Sequence, residues 1–415
     1  MADGALARST VNGWGRPAGA SDDFLPYGRQ TIEADDIAAV VDALQADLLT
    51  TGPMVGGFEA ALAEAAGARF AVACVNGTAA LHMAVRAAGL KPGEACVVPS
   101  VTFLATADAV AFEGAQVVFA DVDPATGHMT PQALAEALAR AGDVRVRAVL
   151  PVHLRGDPVH LPAIGAVAEA AGAVVIEDAC HALGTSTPWG LVGAGGPAAM
   201  ACFSFHAVKT ITTAEGGAVT TNDPALAERL RRIRNHGAER DPGRFAGGEA
   251  AFTEGEPNPW WYEQIELGWN YRLPDVNCAL GLSQLKKLPR FAARRRALFA
   301  RYCEALADLA PAVRTPRPLE GSQPCWHLMS VQIDFAAAGL SRKAVMDRLR
   351  ARGIGTQVHY IPVHRQPWWR AKSPELELPG ADAYYAGTLS LPLYPAMTDF
   401  DVDRVARALA EVLGG

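Results

Sequence analysis

The segment 203–217, FSFHAVKTITTAEGG, places Lys209 after an apolar stretch and shortly before a pair of glycines. The apolar stretch is expected to be an interior strand, where an ammonium ion is costly to remove from water. A Schiff base between this amine and an aldehyde cofactor would avoid that cost, because it replaces the charged amine. Taken alone, the pattern also fits an ordinary loop lysine or a point charge that binds phosphate.

Lysine is scarce in this chain, which narrows the search for reactive amines. The sequence has 415 residues with 37 Lys and Arg, and six of these are lysines. The other five are expected in polar loops or on largely exposed helices: Lys91, Lys286, Lys287, Lys343 and Lys372. Lys209 alone follows a predicted core strand, so it is the first candidate for chemistry that needs a deprotonated amine.

Short β-branched runs alternate with helical patterns from about residue 70 onward, which indicates βαβ units. The predicted strands are Phe70–Val75, Ala95–Pro99, Gln116–Ala120, Ala148–Val152, Ala173–Ile176, Met200–Phe205 and Ala218–Thr221. The predicted helices between them are Ala79–Ala88, Leu104–Phe112, Pro131–Ala141, Leu161–Ala171 and Ala225–Arg234. We therefore predict an α/β fold with a large, doubly wound, mainly parallel sheet.

A long stretch rich in Gly, Pro, Glu and aromatic residues, 237–268, separates this part from a smaller α+β part. The elements predicted there are a long helix from Val276 to Leu288 that continues toward Tyr302, a strand Leu328–Ile333, and helices Ser341–Arg352 and Asp399–Leu413. We predict a flexible tail at residues 1–23, a large domain with an N-terminal arm at 24–268, and a small C-terminal domain at 269–415.

Polar residues follow three of the predicted strands, where ligands bind in sheets of this kind. Asp178 ends an apolar strand, and the segments Asn76–Ala79 and Ser204–Lys209 follow two others. A buried, ionised acid suits pairing with a protonated pyridine nitrogen. A metal ligand, a catalytic base or a helix cap are the other interpretations of Asp178.

The turn at residues 76–80, NGTAA, opens a predicted helix. Helix N-termini present free N–H groups and the positive end of the helix dipole, so this turn could bind a phosphate group, with Thr78 adding a hydroxyl. A plain N-cap is the alternative. Each of these signals is weak by itself, but a phosphate turn, a ring acid and a lysine in this chain order are more specific together.

Composition and charge exclude several classes of protein. Half of the residues are apolar, 20% are charged and the net charge is −7, which is typical of a globular protein and argues against a nucleic-acid-binding surface. The N-terminus lacks the apolar core of a signal peptide, and apolar runs fall short of the ~20 residues that cross a bilayer. Seven scattered cysteines show no metal-ligand spacing. We expect a cytoplasmic protein with no membrane, nucleic-acid or metal partner.

Six segments, in chain order, resemble a known family: LLTTGPMVGGFE, VNGTAAL, VPSVTFLATADAV, VIEDACHALGT, FSFHAVKTITTAEGGAVTTND and GWNYRLPDVNCALGLSQL. They are similar to the DegT/DnrJ/EryC1/StrS sugar aminotransferases, which are pyridoxal-phosphate-dependent enzymes of fold type I. The resemblance runs from about Phe24 to the C-terminus. HAVKTITTAEGG, QVHYIPVH and YGRQTIEADDIAAVVDALQADLLTTGP look most like the pseudaminic-acid branch of that family.

This resemblance implies a site for pyridoxal 5′-phosphate. Lys209 matches the lysine that forms the Schiff base, and Asp178 matches the acid on the pyridine nitrogen. The other cofactor contacts that it implies are Thr78, Ala79, Phe103, His181, Ser204 and Asn270. Phe103 would stack on the ring and His181 would lie beside it. Asn270 would reach the phosphate from a neighbouring subunit, which implies a homodimer with shared active sites.

The reaction that the resemblance implies is a ping-pong amino transfer. L-Glutamate would leave as 2-oxoglutarate, and the amino group would pass to C4 of a UDP-linked 4-keto-6-deoxy sugar. GDP- and dTDP-linked keto sugars stay open as acceptors. A sugar dehydratase of the same fold is disfavoured, because such relatives carry histidine in place of Lys209. A non-catalytic regulatory module is disfavoured because Lys209 and Asp178 are both present.

The substrate side is less sharply defined by the sequence. His327, His359 and Tyr360 lie in segments that resemble the substrate-side loops of the family. Thr50 and Thr51 form another loop expected at the acceptor sugar, with a structural turn as the alternative.

The phosphates of a sugar nucleotide need cationic or N–H partners, which an acidic chain must supply locally. Arg272 and the run Arg294–Arg296 are candidates, although the run also fits a solvated helix face. Some positions depart from the family pattern, among them Cys180, which replaces a small residue, and the long excursion Glu239–Glu263. Ala79 stands where many relatives carry serine, and Arg155 stands where an aromatic residue is common.

Overall fold

The computed structural model describes residues 24–414. The flexible tail predicted for residues 1–23 lies outside the described residues. Between residues 24 and 414, none of the helices is both long and apolar enough to span a membrane.

Seven strands form one large sheet: β1 Phe70–Cys74, β2 Ala95–Pro99, β3 Gln116–Ala120, β4 Val146–Val149, β5 Val174–Asp178, β6 Ala198–Ser204 and β7 Gly217–Thr221. Their order across the sheet is β1-β7-β6-β5-β4-β2-β3. Neighbours from β6 to β3 are parallel, whereas β7 is antiparallel to both β6 and β1. Because β1 and β6 are both antiparallel to β7, β1 runs in the same direction as β6 and β5. The carboxyl ends of β1, β5 and β6 therefore lie at the same edge of the sheet. The predicted α/β class with a mainly parallel sheet is confirmed.

Helices cover both faces of this sheet: α1 Ala34–Leu44, α2 Pro53–Ala66, α3 Gly77–Ala87, α4 Leu104–Phe112, α5 Pro131–Ala141, α6 Leu161–Ala170, α7 Pro224–Arg234 and α8 Asp275–Leu285. One hydrophobic cluster packs α3, α4 and α7 against one face. Two other clusters pack α5 and α6, and α2 and α8, against the other face. The strands are apolar on both sides because both sides are covered.

The C-terminal part has its own hydrophobic core around a three-stranded antiparallel sheet. Its elements are α9 Leu288–Ala305, β8 Val313–Arg314, β9 Met329–Ile333, α10 Arg342–Ala351, α11 Pro379–Gly387, β10 Thr388–Leu391 and α12 Asp399–Leu413. Leu25 belongs to this core, and its N–H donates to the carbonyl of Gly353 at 2.8 Å. The first described residues therefore pack on the C-terminal part, while the domain boundary at 268 stays a prediction.

Short elements complete the chain. Two-residue strands pair at Ser186–Thr187 with Gly190–Leu191, at Ala238–Glu239 with Glu263–Gln264, and at Phe252–Thr253 with Glu256–Pro257. Of the last two pairs, the first joins the two ends of the stretch 237–268, and the second is a small hairpin within it. One-turn helices lie at Leu154–Gly156, Pro242–Arg244, Gly248–Ala251, Ala307–Leu309, Val363–Arg365 and Pro367–Arg370.

Most predicted elements exist, and two of the errors concern where an element begins and ends. The bounds predicted for the fourth strand, Ala148–Val152, are wrong, because the strand spans Val146–Val149. The single long helix predicted from Val276 is also wrong, because α8 ends at Leu285 and α9 begins at Leu288. Pro289 explains the break, since its nitrogen carries no hydrogen to donate to the carbonyl four residues earlier.

Polar contacts join α1 and α2 to α8 and to the residues between α8 and α9, over long sequence distances. The carboxylate of Asp275 accepts from the N–H groups of Gly52 at 2.8 Å and Met54 at 3.0 Å, at the start of α2. The ammonium of Lys287 contacts Asp36 at 2.6 Å and Asp35 at 2.7 Å, and Asp36 is fully buried. Lys287 was predicted to be exposed, which is wrong, because its carboxylate partners come from the distant helix α1.

We predict that Lys287→Met destabilises the fold by about 3 kcal/mol, because it leaves the buried carboxylate of Asp36 without its cation. The measurement is the free energy of unfolding from urea titrations. Lys343→Met is the matched control, since Lys343 is exposed and its ion pair among residues 24–414 is with Asp347, on the same helix face, at 2.5 Å. The control should change stability by about 0.5 kcal/mol or less. Equal effects of the two substitutions would contradict the structural role of Lys287.

Candidate active site

Asp178 ends β5 at the carboxyl edge of the large sheet and is 5% exposed. One carboxylate oxygen, Oδ2, accepts from the Thr106 hydroxyl at 2.6 Å, and that hydroxyl lies 2.7 Å from the hydroxyl of Thr102. The other oxygen, Oδ1, accepts from the backbone N–H of Cys180 at 3.2 Å. The acid is thus held in one orientation. Thr102 and Thr106 have no distinguishing pattern in the sequence, although both lie in the segment VPSVTFLATADAV.

The N-terminus of α3 lies against the end of β6 at the same sheet edge. Asn76 caps the helix, since its side chain accepts from the N–H of Ala79 at 2.8 Å. A Cβ atom built on Gly77 would lie 2.9 Å from Cβ of Ser204 and 3.4 Å from Sγ of Cys180. Among the described contacts, neither the Gly77 nor the Thr78 N–H has an acceptor. These two N–H groups and the Ser204 hydroxyl can therefore bind an anion.

Lys209 follows β6 in a loop that folds back on the strand. Its N–H donates to the His206 carbonyl at 2.9 Å, and the N–H of Phe205 donates to the Gly216 carbonyl at 2.8 Å, which closes the loop. Burial lowers the pKa of the Lys209 ammonium below its ordinary value, and the charge of Asp178 opposes that shift in part. A larger share of this amine is consequently neutral, and nucleophilic, than of an exposed lysine at the same pH.

His181 is fixed in one neutral form by its two neighbours. Its Nδ1 accepts from the backbone N–H of Arg155 at 3.3 Å, so the ring hydrogen sits on Nε2, which lies 3.1 Å from the Tyr360 hydroxyl. Burial, and then the charge of Lys209, hold the pKa of His181 well below its ordinary value. His181 is therefore a neutral donor to Tyr360, and its ring is 4.5 Å from that of His327.

The predicted substrate-side residues His327, His359 and Tyr360 lie around His181. Burial lowers the pKa of His359 to about 3 and that of His327 well below the ordinary value, so both rings are neutral. Nδ1 of His359 lies 2.8 Å from the hydroxyl of Ser390. The ring of Phe103 is 6.0 Å from that of Tyr360 and 56% exposed, which leaves it available at the mouth of the site.

Four of the predicted site residues make no described contact with Asp178, His181 or the side chains around them. Thr50 and Thr51 lie on an exposed turn before α2, where the Thr51 hydroxyl donates to the Thr50 carbonyl at 2.6 Å. Arg272 donates to the Asn235 side chain at 2.5 Å, and Asn270 is exposed beside it. The roles predicted for these residues stay predictions.

The middle residue of the arginine run on α9, Arg295, is explained by packing. Arg295 is 1% exposed, and it donates to the carbonyls of Trp326 at 3.1 Å and Leu393 at 3.0 Å. Burial lowers its pKa to about 10. For Arg295, both predictions, a phosphate partner and a solvated face, are wrong, because the guanidinium cross-links the C-terminal core. Arg155 is likewise buried, and donates to the carbonyl of Thr126 at 2.7 Å.

The chemistry of these groups fits pyridoxal phosphate. The free N–H groups of α3 and the hydroxyl of Ser204 suit a phosphate, the buried carboxylate of Asp178 suits a protonated ring nitrogen, and the amine of Lys209 suits an aldehyde. Between residues 24 and 414, no three His, Cys, Asp or Glu side chains are grouped to hold a metal ion.

Few cofactors need an anion-binding helix N-terminus, a buried acid for a ring nitrogen and a reactive amine together. On this fold, these three features define the class of pyridoxal-phosphate-dependent enzymes of fold type I. A profile of the DegT/DnrJ/EryC1/StrS aminotransferase family matches residues 30–410. The chain therefore belongs to this family, and it is a pyridoxal-phosphate-dependent sugar aminotransferase. The family and the cofactor expected from the sequence are confirmed.

Three solved structures are similar over nearly the whole chain. Helicobacter pylori PseC, an aminotransferase involved in the biosynthesis of pseudoaminic acid, is 27% identical with a TM-score of 0.84, covering 94% of this chain and 99% of that one. DesI, determined in the presence of its TDP-sugar product, is 34% identical with a TM-score of 0.82, covering 95% and 94%. DesV from S. venezuelae is 32% identical with a TM-score of 0.80, covering 92% and 95%.

We predict that Gly77→Ala weakens binding of pyridoxal phosphate by about tenfold or more, because the new methyl group forces α3 away from Ser204. The dissociation constant can be measured by absorbance titration of the apoenzyme. Gly56→Ala is the matched control, since a Cβ there meets nothing within 4 Å. Unchanged affinity in Gly77→Ala would show that the cofactor phosphate does not bind at this helix N-terminus.

Proposed function

We propose that this enzyme transfers the amino group of L-glutamate to C4 of a UDP-linked 4-keto-6-deoxy-N-acetyl hexose, the amination step of pseudaminic acid biosynthesis, in the cytoplasm. The observation that carries the proposal is the placement of Lys209, Asp178 and the α3 N-terminus at one sheet edge. The likeness to PseC supports the choice of sugar. Segments such as QVHYIPVH support it from the sequence.

In this proposal, Lys209 carries the proton transfers. Bound pyridoxal phosphate supplies an aldehyde that carries the amino group between the two half-reactions and a ring that withdraws electrons. The neutral amine of Lys209 removes the proton from the α-carbon of glutamate. It would pass that proton to the carbon of the bound group that holds the amino nitrogen, and in the second half-reaction it would move a proton from that carbon to C4 of the sugar. The lowered pKa of Lys209 suits both roles, because it makes the neutral, proton-accepting form of the amine more accessible than in an exposed lysine.

The other residues bind and orient. Asp178 holds the ring nitrogen in its protonated form, and the N–H groups at Gly77 and Thr78, with the Ser204 hydroxyl, hold the phosphate. Ala79, the next residue of α3, is buried behind this turn and packs in the hydrophobic core. A serine there is consequently not needed for the N-cap, which Asn76 supplies.

The acceptor sugar would bind on the side of the neutral rings. His327, His359 and Tyr360 offer hydrogen bonds without a positive charge, which suits sugar hydroxyl and keto oxygens. The two phosphates of the nucleotide need a cation, and Arg272 is our candidate.

We also propose a homodimer with shared active sites. Apolar side chains are exposed on α4 and on the stretch 237–268: Phe112 is 60% exposed, Ile265 47% and Leu267 69%. Apolar surface of this kind suits burial against a second copy. In that dimer, the exposed Asn270 would reach the partner's cofactor phosphate, and Thr50 and Thr51 would contact the sugar there.

A TDP-linked keto sugar is the second candidate acceptor. The observation in its favour is the likeness to DesI, whose structure was determined with its TDP-sugar product and whose identity to this chain exceeds that of PseC. The two candidates share the reaction type and differ in the nucleotide and the sugar.

Single-turnover kinetics can decide between them. The enzyme is first converted by glutamate to its amino-loaded form, and is then mixed with UDP-, TDP- and GDP-linked keto sugars in turn. We expect fastest amination of the UDP-linked 4-keto-6-deoxy-N-acetyl sugar. Faster reaction of the TDP-linked sugar would move the assignment to the second candidate. Failure of glutamate to load the enzyme would contradict the proposed donor.

A further inference from the structure

We propose that Thr106, backed by Thr102, is a positioning residue that keeps Asp178 ionised and oriented toward the ring nitrogen of the cofactor. The inference rests on the ring-acid role of Asp178 in the proposed function, and is independent of which sugar is the acceptor. Neither threonine is part of the cofactor contacts that the sequence predicted. Both side chains are shielded from solvent, with exposures of 1% for Thr102 and 0% for Thr106.

The direction of the hydrogen-bond chain follows from the chemistry of the groups. An ionised carboxylate only accepts, so the hydroxyl of Thr106 donates its single hydrogen to Oδ2 of Asp178 at 2.6 Å. In the 2.7 Å hydrogen bond between the two threonine hydroxyls, Thr102 must then be the donor and Thr106 the acceptor. The chain therefore runs from Thr102 through Thr106 to Asp178, and no hydrogen of Thr106 remains for another acceptor.

The backbone fixes Thr106 before any ligand binds. Thr106 lies in the first turn of α4, whose neighbouring residues Ala105 and Ala107 pack in the main hydrophobic core. Its N–H donates to the carbonyl of Phe103 at 3.2 Å. Because threonine is β-branched, its χ1 angle has few allowed values, and this restricts the position of the hydroxyl. The donor is therefore set by the fold and does not depend on the cofactor.

The consequence is electrostatic. A buried acid and a pyridine nitrogen can share their proton as an ion pair or as a neutral pair, and burial favours the neutral pair. Hydrogen bonds donated to the carboxylate, from Thr106 and from the N–H of Cys180, favour the ion pair. Without the Thr106 hydroxyl, the proton would move in part from the ring nitrogen to the carboxylate of Asp178. Water cannot replace the lost donor in a fully buried position.

The test is the Thr106→Val holoenzyme loaded with pyridoxal phosphate that carries ¹⁵N in its ring. The ¹⁵N chemical shift reports whether the ring nitrogen is protonated. We expect a protonated nitrogen in the parent enzyme, a shift toward the unprotonated value in Thr106→Val, and a kcat lower by about tenfold or more. Thr106→Ser keeps the hydroxyl and should restore the parent shift. Thr102→Val should move the shift in the same direction as Thr106→Val by a smaller amount.

Thr220→Val is the matched control, because this buried hydroxyl donates to a backbone carbonyl, that of Gly193, at 3.0 Å. It should leave the ¹⁵N shift unchanged. A parent-like shift in Thr106→Val would overturn the inference, provided that Asp178→Ala loses the ring proton. If Asp178→Ala keeps the ring proton, the ring-acid role in the proposed function fails as well. Should Thr106→Val not fold, Thr102→Val decides: a parent-like shift there overturns the inference.

Discussion

The buried carboxylate of Asp178 is the constraint on which the site depends. A charge at the end of an interior strand is tolerated only when hydrogen bonds and an opposite charge compensate for lost water. Here Thr106 from α4 and the N–H of Cys180 supply the hydrogen bonds, and Lys209 lies near enough for the charge of Asp178 to act on its pKa. Satisfying this one carboxylate therefore places α4, the end of β5 and the loop after β6 around a common point.

Burial also sets the protonation of the groups around Asp178. The same loss of water that lowers the pKa of Lys209 lowers the pKa values of His181, His327 and His359. The site consequently combines a reactive amine with neutral imidazole rings. The same three histidines would be partly charged if they were exposed to water. One physical cause, exclusion of solvent at the sheet edge, thus prepares both the nucleophile and the substrate side.

The sequence predicted those features that local patterns encode. Strands such as Ala95–Pro99 were found because apolar runs bounded by turn residues are a local signal, and Asp178 was found because it ends such a run. Thr106 was missed, since a threonine in an apolar helix looks like an ordinary core residue. Lys287 and Arg295 were misjudged because their partners, a carboxylate on α1 and backbone carbonyls of the C-terminal core, lie far away in sequence. Contacts of that kind are set by tertiary packing, which periodicity does not report.

Reductive trapping tests the central claim, that the amine of Lys209 holds the cofactor, most directly. The enzyme is loaded with pyridoxal phosphate, reduced with borohydride, digested and mapped by mass spectrometry. Lys209 is the one lysine between Lys91 and Lys286 in the sequence, so its peptide is easily told from those that carry the other five. The account predicts one phosphopyridoxyl group per chain, on the peptide that contains Lys209. Modification of another lysine in its place, or of none, would contradict it.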